Sequence, residues 1–295
     1  MSKVLIISNP KSGVSDYQNS INIVINEFNK FNIETTLIKT SHTGHAIQIV
    51  SEEDISGYDS VCAMGGDGTL FEVLNGMFLR NENNRRPISV IPNGTGNSFM
   101  KTIGIETILG SIEKIAKNES KQVDVMKAVC NDEVLYSLNL IGWGMATDIS
   151  VFAEELRIFG GQRYNIASFF EIIKNKRRTA KVVVDGIERE DNFAFIIACN
   201  TKYVGKDMKM APNAKIDDGK IDLIIVKEAS SFTLFSVFPK LFDGSHINHE
   251  ACEYVHCESF SIIPEKTGKL NIDGEIIGSS PVAIEILKNG VELII

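Results

Sequence analysis

Four short, apolar, β-branched runs (residues 4–8, 35–39, 60–64 and 88–91) alternate with stretches of helical periodicity in the first 122 residues. The apolar positions Ile21, Val24, Ile25 and Phe28 recur at helical spacing, as do Ala46, Ile47 and Val50, then Leu70, Val73, Leu74 and Met77, and residues 108–116 add one more helix. Strands that alternate with helices imply crossover connections, so this region is expected to form a doubly wound parallel α/β sheet. Ligands of such sheets bind beyond the carboxyl ends of the strands. Three breaks follow strands: Asn9-Pro10-Lys11-Ser12-Gly13, Gly65-Gly66-Asp67-Gly68-Thr69 and Pro92-Asn93-Gly94-Thr95-Gly96-Asn97. All three are therefore expected on one edge of the sheet.

Near residue 123 the pattern changes. Strand-like runs at 123–129, 134–141, 181–184, 193–199, 221–226, 259–263, 269–272 and 282–286 dominate, and one helical stretch at about 150–174 interrupts them. This reads as a second domain from about residue 123, a mostly antiparallel β-sandwich or barrel with one helical insertion.

Composition excludes several classes. A net charge of −8 argues against general nucleic-acid binding, which needs a basic footprint. Cysteines at 62, 130, 199, 252 and 257 outline no disulfide framework and point to a reducing cytoplasm. No apolar run reaches the ~18 residues that span a bilayer, and Met1–Pro10 leads into a strand rather than a signal peptide.

The glycine breaks carry the chemistry. Glycine lets backbone approach a phosphate, and a helix N-terminus offers it free N–H groups. The Walker A pattern is absent and neither loop after residues 64 and 91 fits the dinucleotide fingerprint. Gly65-Gly66-Asp67-Gly68-Thr69 instead sets a carboxylate inside an anion-binding turn, which suits a Mg²⁺ ion between Asp67 and phosphate. The plainer account is a tight turn with a solvated Asp.

Asp273 and Glu275 stand at i and i+2. On a strand both face one way, where a carboxylate could take a proton from a hydroxyl; Asp273-Gly274 is equally a type I′ hairpin turn. Asp217-Asp218-Gly219 reads as a turn, Arg157 and Arg163 as a solvated helix face, and Thr40 as a cap. Residues 166–178 place apolar bulk before four cations, which fits an anionic membrane surface or an ordinary amphipathic helix. His246, His249, Cys252, His256 and Cys257 do not follow a standard zinc spacing.

The chain resembles the diacylglycerol kinase and sphingosine kinase family of lipid kinases, especially its bacterial diacylglycerol-kinase-like branch. The likeness runs over nearly the whole sequence. It rests on Asn9–Gly13, Gly65–Thr69 with Glu72 and Asn75, Pro92–Asn97, Ala211-Pro212 followed by Asp217-Asp218-Gly219, and Asp273-Gly274-Glu275, in this order.

The resemblance implies a nucleotide domain (1–122, rejoined by residues 288–295), a lipid- and metal-binding domain (123–287), and an active site in the cleft between them. It implies ATP contacts from Thr40, Gly65, Gly66, Asp67, Gly68, Thr69, Glu72 and Thr95, with support from Asn9 and Asn97. Arg157 and Arg163 match phosphate-binding arginines. A structural Mg²⁺ is expected on Asp218 and the carbonyls of Lys215 and Lys220. Glu275 is the expected base, with Asp273 orienting it and Asp67 beside the catalytic Mg²⁺.

The expected partner is a lipid substrate at a membrane surface, met by peripheral contact, with no nucleic acid and with a homodimer left open. Ser150, with Asp148 nearby, stands where sphingosine kinases use an acid, and Ser98 where bacterial diacylglycerol kinases usually have Asp; neither lipid is thereby fixed. An NAD kinase and a silent nucleotide-binding accessory protein are the alternatives.

Overall fold

The computed structural model describes residues 2–13, 16–94, 97–131, 133–205 and 208–295. Two compact units emerge: Met1–Asp124 with Lys288–Ile295, and Val125–Leu287.

The first unit carries β1 (Lys3–Ser8), α1 (Tyr17–Lys30), β2 (Glu34–Lys39), α2 (His45–Glu52), β3 (Ser60–Gly65), α3 (Asp67–Phe78), β4 (Ile88–Pro92), α4 (Ser98–Thr102), α5 (Ile108–Lys117) and the start of β5 (Ser120–Cys130). Its strands run parallel in the order β2–β1–β3–β4. On one face Val4, Ile6, Cys62 and Met64 pack against Ile21, Val24 and Phe28 of α1 and Ile112 and Ile115 of α5. The helix pair α2 and α3 is drawn tight by Gly76, where a Cβ would come within 2.8 Å of the Ile47 carbonyl. Strand order reverses between β1 and β3, and at such a switch point the loops diverge and open a crevice.

The second unit holds the rest of β5, then β6 (Glu133–Ser137), β7 (Leu140–Gly144), α6 (Met145–Glu155), α7 (Arg163–Lys174), β8 (Arg178–Val184), β9 (Ile187–Cys199), β10 (Ile221–Lys227), α8 (Ser231–Val237), β11 (Cys252–Cys257), β12 (Ser259–Pro264), β13 (Lys269–Ile272), β14 (Glu275–Ser279) and the first half of β15 (Val282–Ile294). Here β9 pairs antiparallel with β8 along its first half and with β7 along its second, with β10 on its other edge. Leu140, Phe195, Ile197 and Cys199 pack with Met145, Ile172 and Leu234 from the three helices. The last residues of β15, Leu293 and Ile294, pair in parallel with β4 inside the first unit.

Three expectations are corrected. The run 134–141 is two strands, because Leu138 and Asn139 turn to donate their N–H groups to Asp273. The single helix over 150–174 is α6 and α7 joined by a 3₁₀ segment that kinks at Gly160, whose φ is +54°. The helix α8, capped by the Ser230 hydroxyl on the Thr233 N–H, went unread among the strands.

Candidate active site

In the first unit the three glycine-containing loops meet backbone to backbone. The Asn9 N–H reaches the Met64 carbonyl at 3.2 Å, and the Asn93 N–H reaches the Gly65 carbonyl at 2.9 Å. Glycine is required at these approaches. A Cβ on Gly13, at φ +91°, would fall 2.3 Å from the Asn93 carbonyl oxygen, and one on Gly94 would fall 2.6 Å from the Gly66 Cα. Asn9 stiffens its own loop by accepting the Lys11 N–H at 2.9 Å.

Asp67 opens α3, whose N-terminus has no side-chain cap of its own. Its carboxylate accepts the N–H groups of Ser98 at 2.9 Å and Phe99 at 3.3 Å, the first turn of α4. A negative charge is thus fixed where two helices begin and their dipoles favour it. Thr69 is buried, with its hydroxyl against Gly65, where a Cβ would lie 2.2 Å from Oγ1. Asn97 donates to the Gly94 carbonyl at 3.1 Å. The Asn93 Nδ2 and Asn97 Oδ1 atoms are buried without a partner among the described residues. Buried polar groups are ordinarily satisfied, and the Asn93 Nδ2 donor fits an acceptor-rich ligand such as a triphosphate. Thr95 lies outside the described residues.

Glu72 departs from its expected role. Both its oxygens are engaged at the start of α2, by the Gly44 N–H at 2.8 Å and the Ala46 N–H at 3.0 Å. It therefore positions the 40–44 segment, where the Thr40 N–H is held by the Ser8 carbonyl at 2.8 Å.

In the second unit Asp273 and Glu275 do not share a face. Asp273 (φ +51°) and Gly274 (φ +95°) form the two-residue turn between β13 and β14, which breaks the strand alternation. Asp273 is buried and accepts from the Ser137 hydroxyl at 2.6 Å and from the N–H groups of Leu138, Leu140 and Asn139 at 2.9, 2.8 and 3.0 Å. Burial holds its pKa above the usual carboxylate range, against the lowering by these donors. Asp273 is an anchor of the 137–140 bend rather than an orienter of Glu275. Glu275, the first residue of β14, is exposed.

Glu154 gathers Arg157 and Arg163: Arg157 Nε donates to it at 2.7 Å and Arg163 Nη2 lies 3.2 Å away. Asp218 is exposed on the 211–220 loop, and one of its oxygens accepts the Lys220 N–H at 3.0 Å. Carboxylate and carbonyl oxygens suit Mg²⁺. Lys215 is exposed nearby in sequence, and the Lys220 ammonium pairs with Glu258 at 2.7 Å. Ser150 accepts from Asn271 Nδ2 at 2.8 Å, while Asp148 is held by Lys176 and Arg178.

The His and Cys run disperses. His246 is buried between the Met210 and Lys240 carbonyls, and His256 lies 3.1 Å from Asp222. The Asp273 anchor and the Glu72 brace were missed in the sequence because their partners lie far along the chain; only the Asp-Gly turn signal hinted at the first.

Residues 3–128 match the diacylglycerol kinase catalytic domain, and residues 139–295 match the YegS C-terminal NAD kinase beta sandwich-like domain. A diacylglycerol kinase of Bacillus subtilis is 29% identical over 285 residues, covering 95% of this chain and 92% of the relative. One from Staphylococcus saprophyticus is 30% identical over 292 residues, covering 98% and 93%. A crystal structure of a diacylglycerol kinase from Bacillus anthracis matches with a TM-score of 0.81 at 28% identity, over 99% of this chain and 96% of that one. Fold and loops together define a lipid kinase, a phosphotransferase with an alcohol acceptor. The chain belongs to the diacylglycerol kinase family.

Proposed function

We propose that this protein transfers the γ-phosphate of ATP, as its Mg²⁺ complex, to a hydroxyl of a lipid such as diacylglycerol. The observation that carries the reading is the fixed carboxylate of Asp67 among three interlocked loops, each ending a parallel strand. Bound Mg-ATP would supply the phosphoryl group and neutralise its charge. Gly65, Gly66, Gly68 and Thr69 would hold phosphate oxygens through backbone N–H and hydroxyl donors, with Asn9, Asn97, Thr40 and Thr95 around them. Asp67 would hold the catalytic Mg²⁺, and Asp218 with the carbonyls of Lys215 and Lys220 a structural one. Arg157 and Arg163, now shared by Glu154, are guanidinium donors suited to phosphate.

Glu275 is the proposed base. It is exposed at the head of β14, held in place by the anchored turn before it, and would accept the proton of the attacking hydroxyl. Catalysis then rests on positioning and charge.

The lipid would be met at a membrane surface. Among the described residues no helix is long and apolar enough to cross a bilayer. The second unit instead exposes Ile158, Phe159, Phe169, Phe170, Ile173 and Phe232, which suits peripheral contact.

The test is γ-phosphate transfer from Mg-ATP into mixed micelles of diacylglycerol, monoacylglycerol, sphingosine, ceramide, undecaprenol or phosphatidylglycerol, with NAD as a soluble acceptor. One labelled lipid is expected. Glu275→Gln and Asp67→Asn should each lower turnover about 100-fold, the scale of a lost acid–base or charge-stabilising group. Full turnover in both variants, or label in NAD alone, overturns the reading.

A further inference from the structure

The second unit contains a cleft of about 680 Å³ at one end of the β7–β13 ladder. Trp143 pairs with Leu270 at that end, and Ile141 pairs with Ile272 at the other, beside the Asp273–Gly274 turn. At ~3.3 Å per strand residue, the cleft opens roughly 10 Å along the ladder from the turn that carries Glu275.

Its lining inverts the charge of the molecule. Lys176, Arg177, Arg178, Lys266 and Lys269 face only Asp148 and Glu265, on a chain whose net charge is −8. Three of the cations are already engaged: Lys176 and Arg178 with Asp148, and Arg177 with Glu228. Lys266 and Lys269 make no ion pair among the described residues. They stand on the 264–269 connection, where no acidic side chain but Glu265 lines the cleft.

The second observation is independent of charge. Trp143 also lines the cleft; its ring is packed in the fold, while its indole N–H is open to the cleft and takes no acceptor among the described residues. An indole N–H at the wall of a cleft is a fixed donor to whatever acceptor enters it. The space beside it is kept by Gly268, where a Cβ would sit 3.0 Å from Trp143 Nε1. An acceptor oxygen with negative charge answers both features: the unused donor and the unneutralised lysines.

We propose that this cleft binds a phosphate group, carried either by a small soluble ester or by a phospholipid headgroup, with Lys266, Lys269 and the Trp143 N–H as its donors. It is a second anion site, separate from the glycine loops and from Glu275.

Trp143 is the only tryptophan in the chain, so its emission reports on the cleft directly. The full-length protein is titrated at constant ionic strength with inorganic phosphate and with glycerol 3-phosphate, and in a further arm with phosphatidylglycerol vesicles against pure phosphatidylcholine vesicles. Emission and calorimetric heat are read in parallel. A saturable change is expected with phosphate or its carriers and not with chloride. Response to the soluble esters alone assigns a free phosphate ester, and response to the anionic vesicles alone assigns a headgroup.

The double variant Lys266→Gln/Lys269→Gln, on two exposed side chains, should weaken half-saturation about tenfold, as for loss of charge-assisted hydrogen bonds. Gly268→Ala, which adds a methyl beside the indole N–H without changing charge, should weaken it as well. Absence of both saturable emission and heat in every arm overturns the proposal. So does a response unchanged in the two variants, which would place the phosphate elsewhere.

Discussion

Two carboxylates two residues apart do opposite work. Asp273 is buried under four donors, and Glu275 is exposed. Asp273→Ala leaves those donors unsatisfied, at a cost of about 3 kcal/mol. It should lower Tm markedly, whereas Glu275→Gln should lose turnover at unchanged Tm; equal Tm for the two variants would refute the anchor. His246 offers a pH test at the same scale. Burial holds its pKa below the usual histidine range. Below its unfolded pKa of ~6.5 the unfolded chain therefore binds more protons than the folded one, and stability falls as pH drops. Urea midpoints should decline as pH falls below about 6.5, and His246→Gln should flatten that decline. An unchanged slope in the variant would assign the acid lability to other groups.

At the scale of elements, the interlocked loops depend on bare backbone. Gly94→Ala would put a methyl 2.6 Å from the Gly66 Cα and 2.8 Å from its nitrogen, neither of which can rotate away. The loops must part, and Mg-ATP should bind at least about tenfold more weakly by calorimetry. Gly57→Ala, with nothing within 4 Å, is the control and should bind as the parent does. Equal affinity in both would show that loop contact is dispensable.

These loops were legible because each feature is local: a β-branched run, a glycine break, a helical period. The parallel pairing of β1, β3 and β4, though not their order, followed from the same alternation. What stayed illegible was set by distant partners. The break between β6 and β7 lies in residues that read as one continuous strand, and it exists because Asp273, 133 residues beyond Leu140, draws that backbone inward. Glu72 likewise reads as a nucleotide contact until α2 is seen to begin on it.

At the scale of the whole molecule, a net charge of −8 works against approach to an anionic bilayer. The sequence suggested that the cations at 174–178 would offset this. In the fold they are largely spent: Lys174 pairs with Glu171, Lys176 and Arg178 with Asp148, and Arg177 with Glu228. The proposed membrane contact would then lean on apolar surface, and the second unit exposes it. Phe232 is 85% exposed on α8, and Phe169 and Phe170 are half exposed on α7. Phe169 packs on Phe235 of α8 with ring centroids 5.5 Å apart, so the two helices present their aromatic rings together. Burying one such ring in the acyl boundary is worth about 2 kcal/mol. Phe232→Ser should therefore lower partition onto vesicles roughly tenfold or more. Turnover on vesicle-borne diacylglycerol should fall with it, while turnover on a soluble short-chain diacylglycerol should not. Added salt should leave the parent's partition unchanged or strengthen it, because apolar burial is not screened whereas repulsion between the acidic chain and the bilayer is. A steep loss of binding with salt, together with full binding by Phe232→Ser, would assign the attachment to charge instead.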